Sequence, residues 1–355
     1  MNRLVLVLPL LVSFLAAAPA ALAHHGPGQF RGGDVEVTGV VTRVRFVNPH
    51  AYLYFDVMDE QGNAVPWRCE LQAGSLLRRA GWTEDLFPAG GEITVKGSAG
   101  TSERTACGLD TVTLADGTTL DRYGQLREQV DAPVGVANRV VNGELDLNGT
   151  WAAPQRWPDG RTGGGMGMGP PGMGGGGALP NGIALTEAGM AAIERRGDEG
   201  NPRHSCMATN IFFDWTFDRH VNEIIQTEDS ITVKYGLMDI VRTVHLNMDE
   251  HPGDIVASRA GHSIGRWEDG ALVVDTVGIA EGSLSVGRVV HGEQMRVTER
   301  FSYDADSQGL TREYSAVDPQ MFTGTYSGQD VVFVSDVPFE AYDCVELKDD
   351  FIEKL

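Results

Sequence analysis

The sequence predicts a mainly β protein, with an OB-like small barrel in its N-terminal part. An antiparallel β barrel or sandwich with a short helix is predicted for its C-terminal part. Two observations carry this prediction: short alternations of apolar and polar residues recur along the chain, and Gly-, Asn- and Asp-rich turns separate them. The 355 residues exceed what one hydrophobic core usually serves, so we expect two domains.

Residues 1–23 have the pattern of a secretory signal peptide. A basic start with Arg3 precedes an apolar run, and Ala21, Leu22 and Ala23 form a small-x-small cleavage site. Cleavage there predicts a periplasmic or secreted protein whose first residue is His24. No other apolar run is long enough to span a bilayer, so we expect no membrane span after cleavage.

The region 24–125 carries the pattern of the small barrel. The predicted elements are strands at residues 34–46, 51–59 and 64–71, a short helix at 73–80, a strand at 92–97, and a hairpin at 111–120. Three strands, a helix and then further strands is the order of an OB-like barrel. Because such barrels bind many unrelated ligands, this fold alone gives no function.

Residues 126–146 are predicted to form a connector, and residues 147–355 a second, larger β domain. Residues 159–180, near the start of this domain, are rich in Gly and Met. A segment of this composition cannot form a packed core, so we predict a loop there. A helix is expected at 185–196. Short strand candidates then follow at regular spacing up to residue 334, which is typical of an antiparallel barrel or sandwich.

The charge balance limits the classes of partner. The chain has 49 acidic and 28 basic side chains, which gives a formal net charge of −21. A field of this sign repels the phosphates of nucleic acids, so we exclude a nucleic-acid partner. A small ligand or a metal ion remains as the expected partner.

The four cysteines predict two disulfides, because an even number of cysteines in an exported chain usually forms a disulfide framework. Three pairings are open. The order of the cysteines, together with the predicted division into two domains, favours the pairs Cys69–Cys107 and Cys206–Cys344.

Two stretches resemble known families of bacterial proteins. Residues 24–120 begin with His-His-Gly and carry Asn-Pro-His-Ala at 48–51. They resemble an uncharacterised family of exported proteins that has a His-His start and an Asn-Pro-His-Ala motif. Residues 185–345 carry Gly-His-Ser-Ile-Gly-Arg-Trp-Glu at 261–268 and resemble a second uncharacterised family. The resemblances imply export and a β architecture, but they imply no reaction.

The first candidate site combines His24 with His50. The free terminal amine and the imidazole of His24 can chelate one metal ion, and copper favours nitrogen ligands in a planar arrangement. With His50 as a third donor, the set is similar to the histidine brace of copper monooxygenases and copper carriers. No motif establishes a cofactor, and copper is the one that these donors favour. The alternative is that His24 and His25 begin a mobile tail.

The second candidate site contains His262, Arg266, Glu268 and Asp275. Strand alternation places Arg266 and Glu268 on one face and Trp267 on the other. One interpretation is that His262, Arg266 and Glu268 line a ligand cavity. The alternative is an ordinary charged outer face with the tryptophan packed in the core.

Asp275 lies within an apolar run, so its carboxylate needs a basic partner. The candidates are Arg266, Arg296 and Arg300, and we also consider Glu299 and Asp318 as members of the same polar cluster. The histidines outside these sites are scattered, and their spacing predicts no pair of metal ligands.

These patterns together predict an exported binding protein of unknown biochemical role, with copper expected at the terminal His24. One alternative is an enzyme of hydrolase or isomerase type with its site around His262 and Glu268. Another is a structural or interaction protein of the cell envelope. The sequence contains no recognised catalytic motif and leaves open whether the protein is an enzyme.

Overall fold

The computed structural model describes residues 30–101, 103–122, 139–141, 144–153, 182–196, 206–217, 220–285 and 289–345. These residues form a mainly β protein that has a separate sheet in the N-terminal region and a closed barrel of nine strands, which confirms the predicted fold class. The predicted signal peptide and the loop at 159–180 lie outside the described residues. No helix in the described ranges is long and apolar enough to cross a membrane.

The N-terminal sheet has six strands. They are β1 (Asp34–Arg45), β2 (Tyr52–Met58), β3 (Ala64–Glu70), β4 (Glu92–Ala99), β5 (Ala106–Leu114) and β6 (Thr119–Asp121). Strand β1 pairs with β2 and β4, β2 with β3, and β4 with β5, all antiparallel, whereas β3 and β5 pair in parallel. Strands β1–β5 therefore close into a ring, the small barrel, and the helix Gly74–Arg79 follows β3 as in an OB-like order.

The small barrel forms because alternate residues of its strands are apolar and face a common core. Val41, Leu53, Phe55, Val95 and Val112 are all buried there. The disulfide Cys69–Cys107 joins the two strands that pair in parallel, and its cysteines are direct neighbours in the strand register. This confirms the first predicted cysteine pair.

The nine-stranded barrel, called the large barrel below, occupies most of the C-terminal part. Its strands are β9 (Gly149–Ala152), β11 (Asn222–Gln226), β12 (Ser230–Lys234), β13 (Val241–His245), β14 (His262–Glu268), β15 (Ala271–Val277), β18 (Arg296–Asp304), β19 (Gly309–Val317) and β21 (Tyr326–Val334), counted along the whole chain. They pair in this order and β21 closes onto β9. The structure thus selects the barrel from the two predicted alternatives.

Shorter elements complete the described chain. The remaining strands are β7 (Val140–Val141), β8 (Glu144–Leu145), β10 (Ala184–Leu185), β16 (Gly282–Ser285), β17 (Val289–His291) and β20 (Phe322–Thr323). Besides Gly74–Arg79, the described helices are Glu187–Arg196, which matches the predicted helix at 185–196, and Phe213–Thr216. A 3₁₀ turn covers Glu84–Leu86. The second predicted disulfide, Cys206–Cys344, is also present.

One pairing in the large barrel departs from the predicted antiparallel pattern. Strands β13 and β14 run in parallel, with Val244 opposite Ser263 and His245 opposite Ile264. Because parallel neighbours cannot be joined by a tight turn, the chain needs a long connection between them. Residues 246–261 provide this connection.

Ion pairs link four strands inside the large barrel. Arg242 pairs with Glu299, Glu299 with Arg312, and Arg312 with Asp330, and all four side chains are buried. Arg312 also donates from Nη1 to the backbone carbonyl of Ile211 at 2.8 Å. The charges balance within the chain of contacts, which is the condition under which buried ions are tolerated.

Candidate functional site

His50 lies in the small barrel just after the cis Asn48–Pro49 peptide bond, and its ring is oriented by two acceptors. Its Nδ1 atom lies 3.3 Å from Oε1 of Glu70 and 3.4 Å from the backbone carbonyl oxygen of Leu71. In the neutral ring the proton on Nδ1 serves these acceptors, and Nε2 then carries the lone pair. This is the tautomer that a histidine needs to bind a metal through Nε2.

Glu70 is itself held by a neighbouring strand residue. The hydroxyl of Tyr52 donates to Oε2 of Glu70 at 3.4 Å, so both carboxylate oxygens have partners. Burial raises the pKa of Tyr52, and the charge of Glu70 raises it further, so the hydroxyl stays protonated and remains a donor. Glu70 therefore has a fixed position beside His50.

The first described residue, Phe30, lies at the same end of the small barrel as His50. A Cβ atom placed on Gly108 would stand 3.1 Å from the Cδ2 atom of Phe30, so the aromatic ring lies directly over this glycine. Gly108 is the register partner of Glu70. The predicted ligand His24 lies outside the described residues, a short way before Phe30 in the sequence.

Three histidines meet on the wall of the large barrel, and we call them the histidine cluster: His245, His251 and His262. The Nδ1 atoms of His251 and His262 are 2.8 Å apart, and the rings of His245 and His262 stack with 5.0 Å between their centroids. His245 ends β13 and His262 begins β14, whereas His251 belongs to the connection 246–261.

The histidine cluster lies on the outer face of the barrel. Ser263 follows His262 on β14, Thr276 follows Asp275 on β15, and both hydroxyls hydrogen-bond with Arg242 in the interior. Because successive strand residues point to opposite faces, His262 and Asp275 face outward. The parallel pairing of β13 and β14 brings His245 alongside them, and the long connection places His251 against His262.

Burial and charge both disfavour protonation in this cluster. Partial burial lowers the pKa of His262, and the neighbouring His251 and His245 lower it further. Partial burial also lowers the pKa of His251, while Asp275 raises it and Arg296 lowers it. The net direction is downward for both rings, which favours the neutral imidazole that metals bind.

Asp275 has the basic partner that its sequence position requires. Of the three candidates, Arg296 makes the ion pair, through its Nη2 atom and Oδ2 of the carboxylate. Among the described residues, Oδ1 of Asp275 and Nε2 of His251 are buried and have no hydrogen-bond partner. The histidine cluster and its neighbour Asp275 therefore each contain one buried polar atom that lacks a hydrogen-bond partner among the described residues.

Arg266 and Glu268 form a separate, exposed pair at the far end of β14, with Nε 2.5 Å from Oε1. Trp267 is partly buried and packs on the core, as the alternation predicts. His262 and Arg266 are four positions apart on the strand, which corresponds to about 13 Å. No contact in the described part of the chain joins His262 to Glu268, so the enzyme hypothesis stays a prediction.

Glu299 and Asp318 do not belong to the Asp275 cluster, and that interpretation was wrong. Glu299 points into the large barrel, to the opposite face of the sheet from Asp275. Asp318 is buried in a turn, where Oδ2 accepts from the backbone N–H of Gly292 at 2.6 Å and Oδ1 from that of Gln320 at 3.1 Å. Both carboxylates have structural partners.

The spacing of the histidines failed to indicate that His245, His251 and His262 meet, because their contact depends on a parallel strand pair. Within the described ranges, no three His, Cys, Asp or Glu side chains already surround a point where a metal ion could be held. The cluster thus offers two close nitrogens and a third ring nearby, but not a finished coordination sphere.

The comparisons with known proteins cover the N-terminal part alone. Residues 12–109 match a family of unknown function, DUF6152. This match includes His50, Glu70 and both cysteines of the first disulfide. Neither the curated proteins nor the solved structures contain a significant match to the chain.

Proposed function

We propose that this chain is an exported binding protein whose ligand is a copper ion, bound by the mature N-terminus at His24 and by His50. The observation that carries the proposal is the orientation of His50: its Nδ1 atom faces Glu70 and the carbonyl of Leu71. A histidine that binds a metal typically donates its other ring N–H to a carboxylate or a carbonyl. His50 has both acceptors.

The position of Phe30 supports the participation of His24. The chain between these two residues spans about 20 Å when fully extended. Phe30 lies over Gly108, the register partner of Glu70, and Glu70 contacts His50. The described chain thus begins beside the residue that orients His50, which supports a ligand from the terminus at this end of the small barrel.

The chemistry of the donors selects the metal. The amine and ring of His24 with Nε2 of His50 would supply three nitrogens, and nitrogen donors in a planar or tetragonal set favour Cu(II). The acidic chain, with a net charge of −21, attracts cations. Glu70 adds a negative charge beside the site without occupying it, which stabilises a bound cation further.

The test begins with natively exported protein. Mass spectrometry should give a mature N-terminus at His24, and titration with Cu(II) should give one tight site whose spectrum reports nitrogen ligands. We expect His50→Ala to weaken Cu(II) binding at least tenfold. Adding one glycine before His24 should do the same, because it moves the amine away from the imidazole.

Two further variants make the test specific. Glu70→Gln removes the carboxylate that orients His50, and loss of such a partner typically costs about 10–100-fold in metal affinity. Glu103→Gln is the matched control, since this glutamate pairs with Arg68 on the same barrel and does not contact His50. Equal Cu(II) affinity of the extended and the natural N-terminus would overturn the proposal.

A further inference from the structure

The histidine cluster of the large barrel contains an arrangement that the small-barrel site does not explain. Two ring nitrogens, Nδ1 of His251 and Nδ1 of His262, face each other at 2.8 Å. At this distance only one proton fits between them, so one ring donates and the other accepts. When that proton moves to Nε2 of the donor ring, both Nδ1 atoms present lone pairs that one metal ion can bind.

We infer that the histidine cluster is a second, independent binding site for a divalent transition-metal ion such as Zn(II). Nδ1 of His251 and Nδ1 of His262 are the first two ligands. His245 stacks on His262, with 5.0 Å between the ring centroids, and supports its ring, while solvent would complete the coordination. Binding moves the proton shared by the two Nδ1 atoms to Nε2 of the ring that carried it, so the two neutral rings keep both protons, and no oxidation or reduction is involved.

The two nitrogens need a modest separation to share an ion. Two nitrogens that each lie about 2.0–2.1 Å from a tetrahedral Zn(II) ion stand about 3.3–3.4 Å apart. The observed separation of 2.8 Å therefore has to grow by about half an ångström. His251 belongs to the connection 246–261 and not to a strand, so it can make this movement without disturbing the barrel ladder.

Asp275 is a positioning residue for the ring of His251. Nε2 of His251 and Oδ1 of Asp275 are buried atoms that lack a partner among the described residues, and the carboxylate acts on His251 electrostatically. When Nδ1 of His251 binds a metal, the proton of this ring moves to Nε2, and Asp275 is the nearby acceptor for it. Arg296 holds the other oxygen and fixes the carboxylate in place.

The experiment uses the full mature chain with one glycine added before His24, which removes the terminal chelate from the measurement. Titration with Zn(II) by calorimetry should give one site, with no net release of protons from the two neutral rings. His251→Ala and His262→Ala should each weaken Zn(II) binding at least tenfold. Asp275→Asn should weaken it by about 10–100-fold, as for other carboxylates that orient a metal-bound histidine.

The matched control is Glu268→Gln, which changes an exposed carboxylate on the same strand and should leave Zn(II) affinity unchanged. His262→Gln serves as a second variant if His262→Ala fails to fold. Absence of Zn(II) binding in the extended protein, or equal binding by the His262 variants, overturns the inference. Equal binding by Asp275→Asn overturns the positioning role. Because His50 and His24 play no part, these outcomes are independent of the proposed copper site.

Discussion

The side-chain amide of Asn48 donates a hydrogen bond to the backbone carbonyl of Tyr342, so the loop after β1 is tied to the C-terminal segment. The amide oxygen of Asn48 accepts from the backbone N–H and the hydroxyl of Ser75, at 3.0 and 3.1 Å. The backbone of Asn48 also accepts from the N–H of Val345 at 2.8 Å. The Asn residue of the Asn-Pro-His-Ala motif therefore has a structural role, while the His residue is the candidate ligand.

Replacing Asn48 by Ala should destabilise the protein by about 2 kcal/mol or more. The change removes the buried hydrogen bonds that the Asn48 side chain makes with Ser75 and Tyr342, and a buried group that loses its hydrogen bond costs about 1–3 kcal/mol. Urea unfolding measures the effect. Asn63→Ala, which removes an exposed hydrogen bond to Asp59, should cost much less. Similar losses for the two variants would contradict the structural role of Asn48.

Replacing Glu299 by Gln should cost about 3–5 kcal/mol, because it leaves two buried guanidinium groups with only Asp330 as a charged partner. The free energy of unfolding from chemical denaturation measures this loss. Glu268→Gln removes an exposed ion pair and should change stability by less than about 1 kcal/mol. A mild effect of Glu299→Gln would mean that the interior charges are solvated.

The carboxylate of Glu299 should also make the free energy of unfolding depend on pH. Burial alone would raise the pKa of Glu299, but Arg242 and Arg312 hold it below the ordinary value of 4.5. A lowered pKa in the folded state contributes stability above the pKa of the unfolded state, and this contribution is lost as the pH falls. The stability difference between the natural protein and Glu299→Gln should therefore be constant near neutral pH. It should shrink below pH 4.5, which unfolding curves at several pH values would reveal.

The inward position of Glu299 is readable in the sequence, whereas its partners are not. Val297 and Phe301 flank it at the spacing of one strand face, and both are buried, so alternation alone predicts that Glu299 points inward. Its pairing with Arg242 and Arg312 depends on the order and register of four strands. These are set by contacts between distant residues, and a pattern within one strand does not contain them.

The histidine cluster shows the same limit more strongly. His251 belongs to no periodic segment and is placed against His262 by the connection 246–261, while the parallel pairing of β13 with β14 brings His245 alongside. The cysteine pairs, by contrast, follow from the division into two domains and needed no register. Of the candidate ligands, His50 was identified by its motif, but its partner Glu70 became evident only from the pairing of β2 with β3.

Removing the disulfide Cys206–Cys344 should destabilise the protein more than removing Cys69–Cys107. The two bridges join cysteines that are 138 and 38 positions apart. In the chain-entropy model, loops of these lengths correspond to about 5 and about 4 kcal/mol. Paired Cys→Ala variants compared by thermal unfolding measure both losses. The reverse order would indicate that local packing around the small barrel outweighs loop length.

Replacing Gly108 by Ala should weaken Cu(II) binding several-fold, on the basis of the proposed site at His24 and His50. The added methyl group would lie 3.1 Å from the ring of Phe30, closer than packed carbon atoms normally approach. The ring must move, and the terminal segment that it anchors moves with it, while His50 and Glu70 keep their contact. Gly253→Ala is the control, because its Cβ would meet no atom within 4 Å. If Gly108→Ala and Gly253→Ala bind Cu(II) equally, Phe30 does not guide the N-terminus to His50.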